Sequence, residues 1–280
     1  MLQLKTVKEL KKAIKFLQNS NSKSGFVPTM GALHLGHISL IERCKQENDT
    51  TICSIFINPL QFNDKNDLIK YPKTIEKDIE MLVNSGVDIL FLPDANEVYP
   101  ENFIPEKFDF NGLDSVFEGK LRPGHFNGVA NVLKKLFEFV EPNNVYLGQK
   151  DFQQTLIVKK MVESLNLPIK INVCEIKREQ NGLAMSSRNS RLSEENRTKA
   201  GFLFSILNQL KENVLTSDFS IALQQAKNMI NSTENAELEY LEIVNRRNLT
   251  AFNNEFIKNE SVILAAVNYC NVRLLDNALV

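Results

Sequence analysis

Short apolar runs of β type alternate with amphipathic helical patterns along the first 176 residues. That alternation constrains the fold more than any other feature of the chain. The runs are Phe26-Val27-Pro28-Thr29, Thr51 to Ile57, Val87 to Leu92, Asn144 to Leu147 and Pro168 to Ile176. Ile52, Cys53, Ile55, Phe56 and Ile57 leave almost no polar gap, as in a strand buried on both faces. Around and between the runs, apolar residues recur at helical spacing. Examples are Val7, Leu10, Ile14 and Leu17, then Ile38, Leu40, Ile41 and Cys44, then Ile75, Ile79, Leu82 and Val83. Further helices are predicted around Val129 to Val140 and from about Phe152 to Leu165. Thr6-Val7-Lys8-Glu9 has the form of a capping box, and Gly86 stops the third helix. Strands and helices in this order predict an α/β fold with a doubly wound parallel sheet.

The pattern changes after Ile176. Two helices follow in succession, near Glu194 to Glu212 and Phe219 to Asn231. Strand-like runs come next at Leu238 to Val244, Val262 to Val267 and Asn271 to Leu275. This order predicts a smaller C-terminal α+β domain over 177–280, behind a larger domain over 1–176. Polar stretches at Asn58 to Asn66, Asn231 to Glu237 and Asn253 to Glu260 read as loops.

Charge narrows the function classes. The net charge of −1 on 280 residues supplies no global basic field for a polyanion, so no nucleic-acid partner is expected. Local positive charge could still hold one nucleotide. Cys44, Cys53, Cys174 and Cys270 are scattered, form no C-x-x-C pair and read as reduced thiols. Lys5, Lys8, Lys11 and Lys12 interrupt any N-terminal apolar segment, and Val262 to Val267 is too short to span a bilayer. A cytoplasmic protein without membrane attachment is the expectation.

Five segments carry candidate chemistry. In Pro28-Thr29-Met30-Gly31-Ala32-Leu33-His34-Leu35-Gly36-His37, two imidazoles and a glycine stand where a strand hands over to a helix N-terminus. That end of a helix favours phosphate. The chain has three histidines and two are here, so the phosphate reading outweighs a pair of capping histidines. A zinc pair would have to recruit the distant His125. Asn58-Pro59-Leu60-Gln61-Phe62 follows the second strand, where Asn58 and Gln61 could bind a small polar substrate or simply make a turn. Gly119 to Gly128, containing Lys120, Arg122 and His125, reads as an irregular stretch leading into a helix, facing phosphate or not. Gly148-Gln149-Lys150-Asp151-Phe152-Gln153-Gln154 again follows a strand. There Lys150 could meet a phosphate, and Asp151 could take ribose hydroxyls or cap the helix. Met185-Ser186-Ser187-Arg188-Asn189 suits a triphosphate or a serine-capped helix with an exposed arginine.

Taken together, these segments resemble the pantothenate synthetase (pantoate–β-alanine ligase) family, a branch of the His-x-Gly-His nucleotidyltransferases. The resemblance also rests on Ser54 to Phe62, Arg122 to Phe126 and Gly182 to Asn189, in the family's order over nearly the full length. It implies a Rossmann-like nucleotide- and pantoate-binding domain and an ATP-dependent ligation. Pantoate and ATP give pantoyl adenylate and pyrophosphate; β-alanine then gives pantothenate and AMP. By the same resemblance Met30, Gly31, Ala32, Leu33, His34, Leu35, Gly36 and His37 bind ATP, with the acid role at His37. Gly148, Gln149, Lys150, Asp151, Lys177, Met185, Ser186, Ser187 and Arg188 supply the remaining ATP contacts. Among these, Lys150, Ser186, Ser187 and Arg188 face phosphates with His34 and His37, and Lys177 offers backbone to adenine. Gln61 and Gln154 hold pantoate, Gln61 also lies toward β-alanine, and Asn58 and Arg122 join the substrate set. The resemblance further implies Mg2+ carried on the ATP phosphates, no metal held by the protein itself, a homodimer and a cytoplasmic location. The family often has Asp where Asn181 stands and Arg where Lys73 stands, and 63–68 follows its pattern only loosely. The rival enzyme reading is another His-x-Gly-His nucleotidyltransferase acting on a small-molecule phosphate. An RNA-binding tRNA synthetase relative lacks the basic domain it would need. A non-catalytic nucleotide-binding module leaves the full set of phosphate-facing residues without a purpose.

Overall fold

The alternating pattern folds as β1 (Leu2–Leu4), α1 (Val7–Leu17), β2 (Ser24–Thr29), α2 (Leu35–Glu47), β3 (Thr50–Ile55), α3 (Ile75–Asn84) and β4 (Ile89–Phe91). Short helices α4 (Ala95–Val98) and α5 (Phe117–Leu121) precede α6 (His125–Val140), β5 (Asn144–Gly148), α7 (Phe152–Ser164) and β6 (Lys170–Cys174). The remainder is α8 (Glu194–Lys199), α9 (Phe202–Asn213), α10 (Phe219–Asn231), β7 (Ala236–Asn245), β8 (Ser261–Tyr269) and β9 (Val272–Leu279). The computed structural model describes residues 1–17, 21–62, 68–69, 71–216, 218–252 and 257–280. The loops expected over 58–66 and 253–260 therefore lie partly outside the described residues, at 63–66 and 253–256. Two compact units result: Met1–Gly148 with Gln153–Glu175, and Gln149–Phe152 with Ile176–Val280.

In the first unit, six parallel strands lie in the order β1-β4-β3-β2-β5-β6. From central β2 the chain winds outward through β3 and β4, then returns to place β5 on the other side. The switch point lies between β2 and β5, and in such sheets the carboxyl ends of the strands flanking it form the ligand crevice. Successive residues on β2 and β3 (Phe26 and Val27, Ile52 and Cys53) are all fully buried. Because side chains alternate across a strand, both sheet faces are covered. Helices α2 and α3 cover one of them, packing Leu40, Ile41, Cys44 and Leu82 onto Val27, Cys53 and Leu90. The C-terminal end of α2 is tied to β5 by polar contacts. The Tyr146 hydroxyl donates to Glu47 Oε2 (2.8 Å) and accepts from Asn48 Nδ2 (2.7 Å).

In the second unit, β7, β8 and β9 form an antiparallel sheet. Leu203, Ile206, Leu207 and Leu210 of α9 and Ile230 of α10 share its core with Ile243, Ile263, Ala265 and Val267.

Three sequence expectations are corrected. Strand β1 was not foreseen, being three residues long at the sheet edge. Residues 194–212 do not form one helix. The Asn181 side chain donates to the carbonyls of Arg197 and Thr198 (both 2.8 Å), capping α8 before α9 begins. The stretch 119–128 is largely helical, because α5 runs to Leu121 and α6 begins at His125. Helix α2 begins at Leu35, with His34 as its N-cap. The four thiols are all free, and burial pushes Cys44 up to about 12. Among the described residues, no helix is long and apolar enough to cross a membrane.

Candidate active site

The His-x-Gly-His segment forms a capping box made of imidazoles. His34 Nδ1 accepts from Gly36 N–H (3.1 Å), and His37 Nδ1 accepts from His34 N–H (3.3 Å). A nitrogen that accepts cannot carry the ring proton, so both rings hold it on Nε2. The ring centroids are 4.1 Å apart. Two Nε2–H donors thus belong to neighbouring rings at the N-terminus of α2, the end that carries its partial positive charge. The preceding loop is held from a distance. Buried Asp78 on α3 accepts Ala32 N–H at Oδ2 (2.9 Å) and Leu33 N–H at Oδ1 (2.8 Å). Sequence reading missed Asp78, although it carried a signal. With Ile75 and Leu82 it lies at helical spacing on the apolar face, where a charge has no reason to be unless it is partnered.

Gln61 sits in a bracket built by four other residues. Buried Asn58 donates Nδ2 to Gln61 Oε1 (3.1 Å) and to Gly128 O (3.1 Å). Its Oδ1 accepts from Leu60 N–H (3.2 Å) and from the Tyr99 hydroxyl (2.7 Å). All four hydrogen-bonding positions of Asn58 are therefore used within the protein. In this structure the Asn58 side chain supports Gln61, where the sequence expectation was substrate contact. His125 Nδ1 lies 2.8 Å from Gln61 O, and its Nε2 lies 3.1 Å from Arg122 Nη1. A carbonyl only accepts and a guanidinium only donates, so His125 is neutral with its proton on Nδ1. Arg122 Nη2 also donates to Gln61 O (3.3 Å), which makes Arg122 part of the bracket. Gly128 lets α6 approach the turn at 59–61, because a Cβ there would stand 2.3 Å from Leu60 O. The Gln61 amide itself reaches Met30 Sδ (2.8 Å).

The two adjacent glutamines of α7 divide their labour. Gln153 is buried and turned inward. It accepts from Glu118 N–H (3.0 Å) and donates to Leu113 O (2.6 Å) and Val116 O (2.9 Å). Gln154 is half-buried. Its side chain has no hydrogen-bond partner among the described residues.

The second unit assembles Lys150 with the Met185–Asn189 segment. Buried Asn277 of β9 donates to Gln149 O (2.9 Å) and Lys150 O (3.1 Å) and accepts from Gln149 Nε2 (3.0 Å). Lys150 Nζ lies 2.9 Å from Asp151 Oδ1. Residues 177–185 form a hairpin, with Met185 N–H on Lys177 O (3.0 Å) and Glu179 N–H on Leu183 O (2.9 Å). Buried Asn189 closes the hairpin by donating to Glu179 Oε1 (2.9 Å) and Ala184 O (3.0 Å). Ser186 caps the 3-10 turn at Ser187–Arg191 by accepting from Arg188 N–H (3.2 Å). A small cavity is lined by Lys150, Ser186, Asn189 and Asp276. Asp276 takes both Arg178 Nη1 (2.6 Å) and Nη2 (2.9 Å). Burial raises the Asp276 carboxyl above its ordinary value, with Arg178 opposing the rise. Asn277 and Asp276 were also missed from sequence. The signal was a charge at 276, in step with the buried Val272 and Leu274 on one face of the strand.

A family model described as pantoate-beta-alanine ligase matches residues 3–279.

The chain belongs to that family.

A pantothenate synthetase of Cytophaga hutchinsonii is 41% identical over 283 residues, covering 100% of this chain and 99% of its own. One of Bacteroides fragilis is 42% identical, covering 97% and 96%. The solved pantothenate synthetase of Thermus thermophilus superposes with a TM-score of 0.93 at 37% identity, covering 99% of both chains. The pantoate-beta-alanine ligase of Francisella tularensis, complexed with Beta-gamma ATP and Beta-alanine, gives a TM-score of 0.77 at 36% identity, covering 100% and 97%. Their α/β sheet with a smaller second part is the fold found here.

Proposed function

We propose that this chain joins pantoate to β-alanine at the expense of ATP, by way of an acyl adenylate. The observation that carries the reading is the family match over residues 3–279. The chemistry needs no nucleophile from the protein. A pantoate carboxylate oxygen attacks the α-phosphorus, and the bond to the β-phosphate breaks to release pyrophosphate. The neutral amine of β-alanine then attacks the acyl carbon, the carbon–oxygen bond to phosphate breaks, and AMP and the amine proton leave. The protein aligns the reactants and stabilises charge at phosphorus.

The two Nε2–H groups of His34 and His37 are suited to the phosphate oxygens where negative charge moves during adenylation, with His37 as the acid toward pyrophosphate. By the family resemblance Lys150, Ser186, Ser187 and Arg188 are cationic and hydroxyl donors assigned to ATP phosphates. Gly148, Gln149 and Met185 line the nucleotide, Asp151 takes the ribose, and Lys177 offers its backbone to adenine. Gln61 and Gln154 hold pantoate, supported by the bonding contrast between Gln154 and Gln153. Mg2+ bound to the ATP phosphates would neutralise part of their charge. Among the described residues no group of three or more His, Cys, Asp or Glu is placed to cage it. The enzyme works as a homodimer in the cytoplasm. The test is release of pyrophosphate from ATP and pantoate alone, and of AMP with pantothenate once β-alanine is added. A product that keeps the nucleotide would favour a nucleotidyltransferase instead.

A further inference from the structure

We propose that Asp78 is a positioning residue for the adenylation step, holding the loop that aims His34 and His37. The proposal rests on the functional reading above. Gly31 (φ +80°) and Ala32 (φ +50°) both have positive φ, a conformation disfavoured for a residue with a Cβ. At this turn the successive N–H groups of Ala32 and Leu33 face one carboxylate, and successive N–H groups presented by a turn form a concave nest that ordinarily takes an anion. Here the protein fills the nest itself. The Asp78 carboxylate, 1% exposed, takes Ala32 N–H and Leu33 N–H on separate oxygens. Thr74 Oγ1 donates to the same carboxylate (3.0 Å to Oδ1). At the near end of the loop, Thr29 Oγ1 accepts Gly31 N–H (3.2 Å) and donates to Ser54 O (2.8 Å). The N–H groups of Ala32 and Leu33 are thus engaged with Asp78. Their contribution to nucleotide binding is the shape of the loop, and the imidazoles that follow do the donating.

Asp78→Asn separates three roles. The amide can accept only one of the two N–H groups and turns its own N–H toward the other, so the loop loses its hold. A role through charge alone would leave ATP binding unchanged or tighter, since a negative group near a polyanion is removed. A role in stability alone would lower the melting temperature and leave the folded enzyme's rate intact. Positioning predicts a fall of about 10²-fold in pyrophosphate release at saturating ATP and pantoate, because a displacement of about 1 Å at a reacting group costs that much. The 15N shifts of the His34 and His37 rings in the full chain should also lose the pattern of an accepting Nδ1.

A folded Asp78→Asn enzyme within threefold of the unaltered rate, with unchanged histidine shifts, overturns the proposal. If that variant does not fold, Thr74→Val reads the same carboxylate. A three- to tenfold slower rate at unchanged melting temperature supports the proposal, and an unchanged rate overturns it. The two readings fail separately. An unaltered chain that releases no pyrophosphate removes the proposed function, whereas histidine shifts that ignore Asp78→Asn remove only the positioning role.

Discussion

At the scale of single residues, the proposed site separates groups assigned to substrate from groups that hold them. His37→Ala and Lys150→Ala each remove a donor assigned to the phosphates. Turnover should fall on the order of 10²–10³-fold with little change in melting temperature, measured by coupled AMP release and thermal unfolding. Gln154→Ala should raise the KM for pantoate and leave the melting temperature alone. Gln153→Ala should do the opposite at the level of the fold. It leaves the Glu118 N–H and the Leu113 and Val116 carbonyls without their partner, at about 1–3 kcal/mol for each buried group left unpaired. Running the two variants side by side checks the division, since neighbouring glutamines with equal effects would contradict it. The role of Gln153 was not legible in the sequence, because two consecutive glutamines look alike until the helix faces are known.

At the scale of elements, close packing and buried charge give two further expectations. Gly128→Ala would drive a Cβ into Leu60 O. The turn at 59–61 must then shift, costing about 1–3 kcal/mol and displacing Gln61, so chemical unfolding and pantoate kinetics should both respond. Arg178→Met leaves the Asp276 carboxylate buried without its cation, which commonly costs about 3–5 kcal/mol. The pH dependence has a definite sign. The folded-state value of Asp276 is raised by burial, so its contribution favours folding below the ordinary carboxyl range and is lost as pH rises through the folded value. Without Arg178 that loss grows, and the melting-temperature gap between variant and unaltered protein should be wider at pH 7 than at pH 4. The strands with long apolar runs and the two-turn or longer helices were legible, because period alone identifies them. Strand β1 and helix α4 are too short to show a period. The break between α8 and α9 depends on Asn181, which is distant in sequence from the carbonyls it caps. Likewise, the phosphate character of His34 to His37 could be read from residue type and order. The nest filled by Asp78 could not, because the partners are more than forty residues apart.

At the scale of the whole molecule, family membership covers the chain from end to end, and the assembly state is an expectation open to direct measurement. Sedimentation at micromolar concentration should give twice the 31.9 kDa mass of the chain; a single-chain mass would reject the dimer. The sheet order has a further consequence for how the protein is made. Central β2 pairs with β5, and Ser24 N–H reaches Asn143 Oδ1 across 119 residues of sequence. Closing a loop of that size costs entropy before the pairing returns any contact energy. On the ribosome, β2 to β4 can pair early, while the β5 side of β2 has no partner until residue 144 has left the exit tunnel. Sheets of this order form their ligand crevice along such a seam, so the crevice proposed for the first unit is among the last of its parts to close during synthesis.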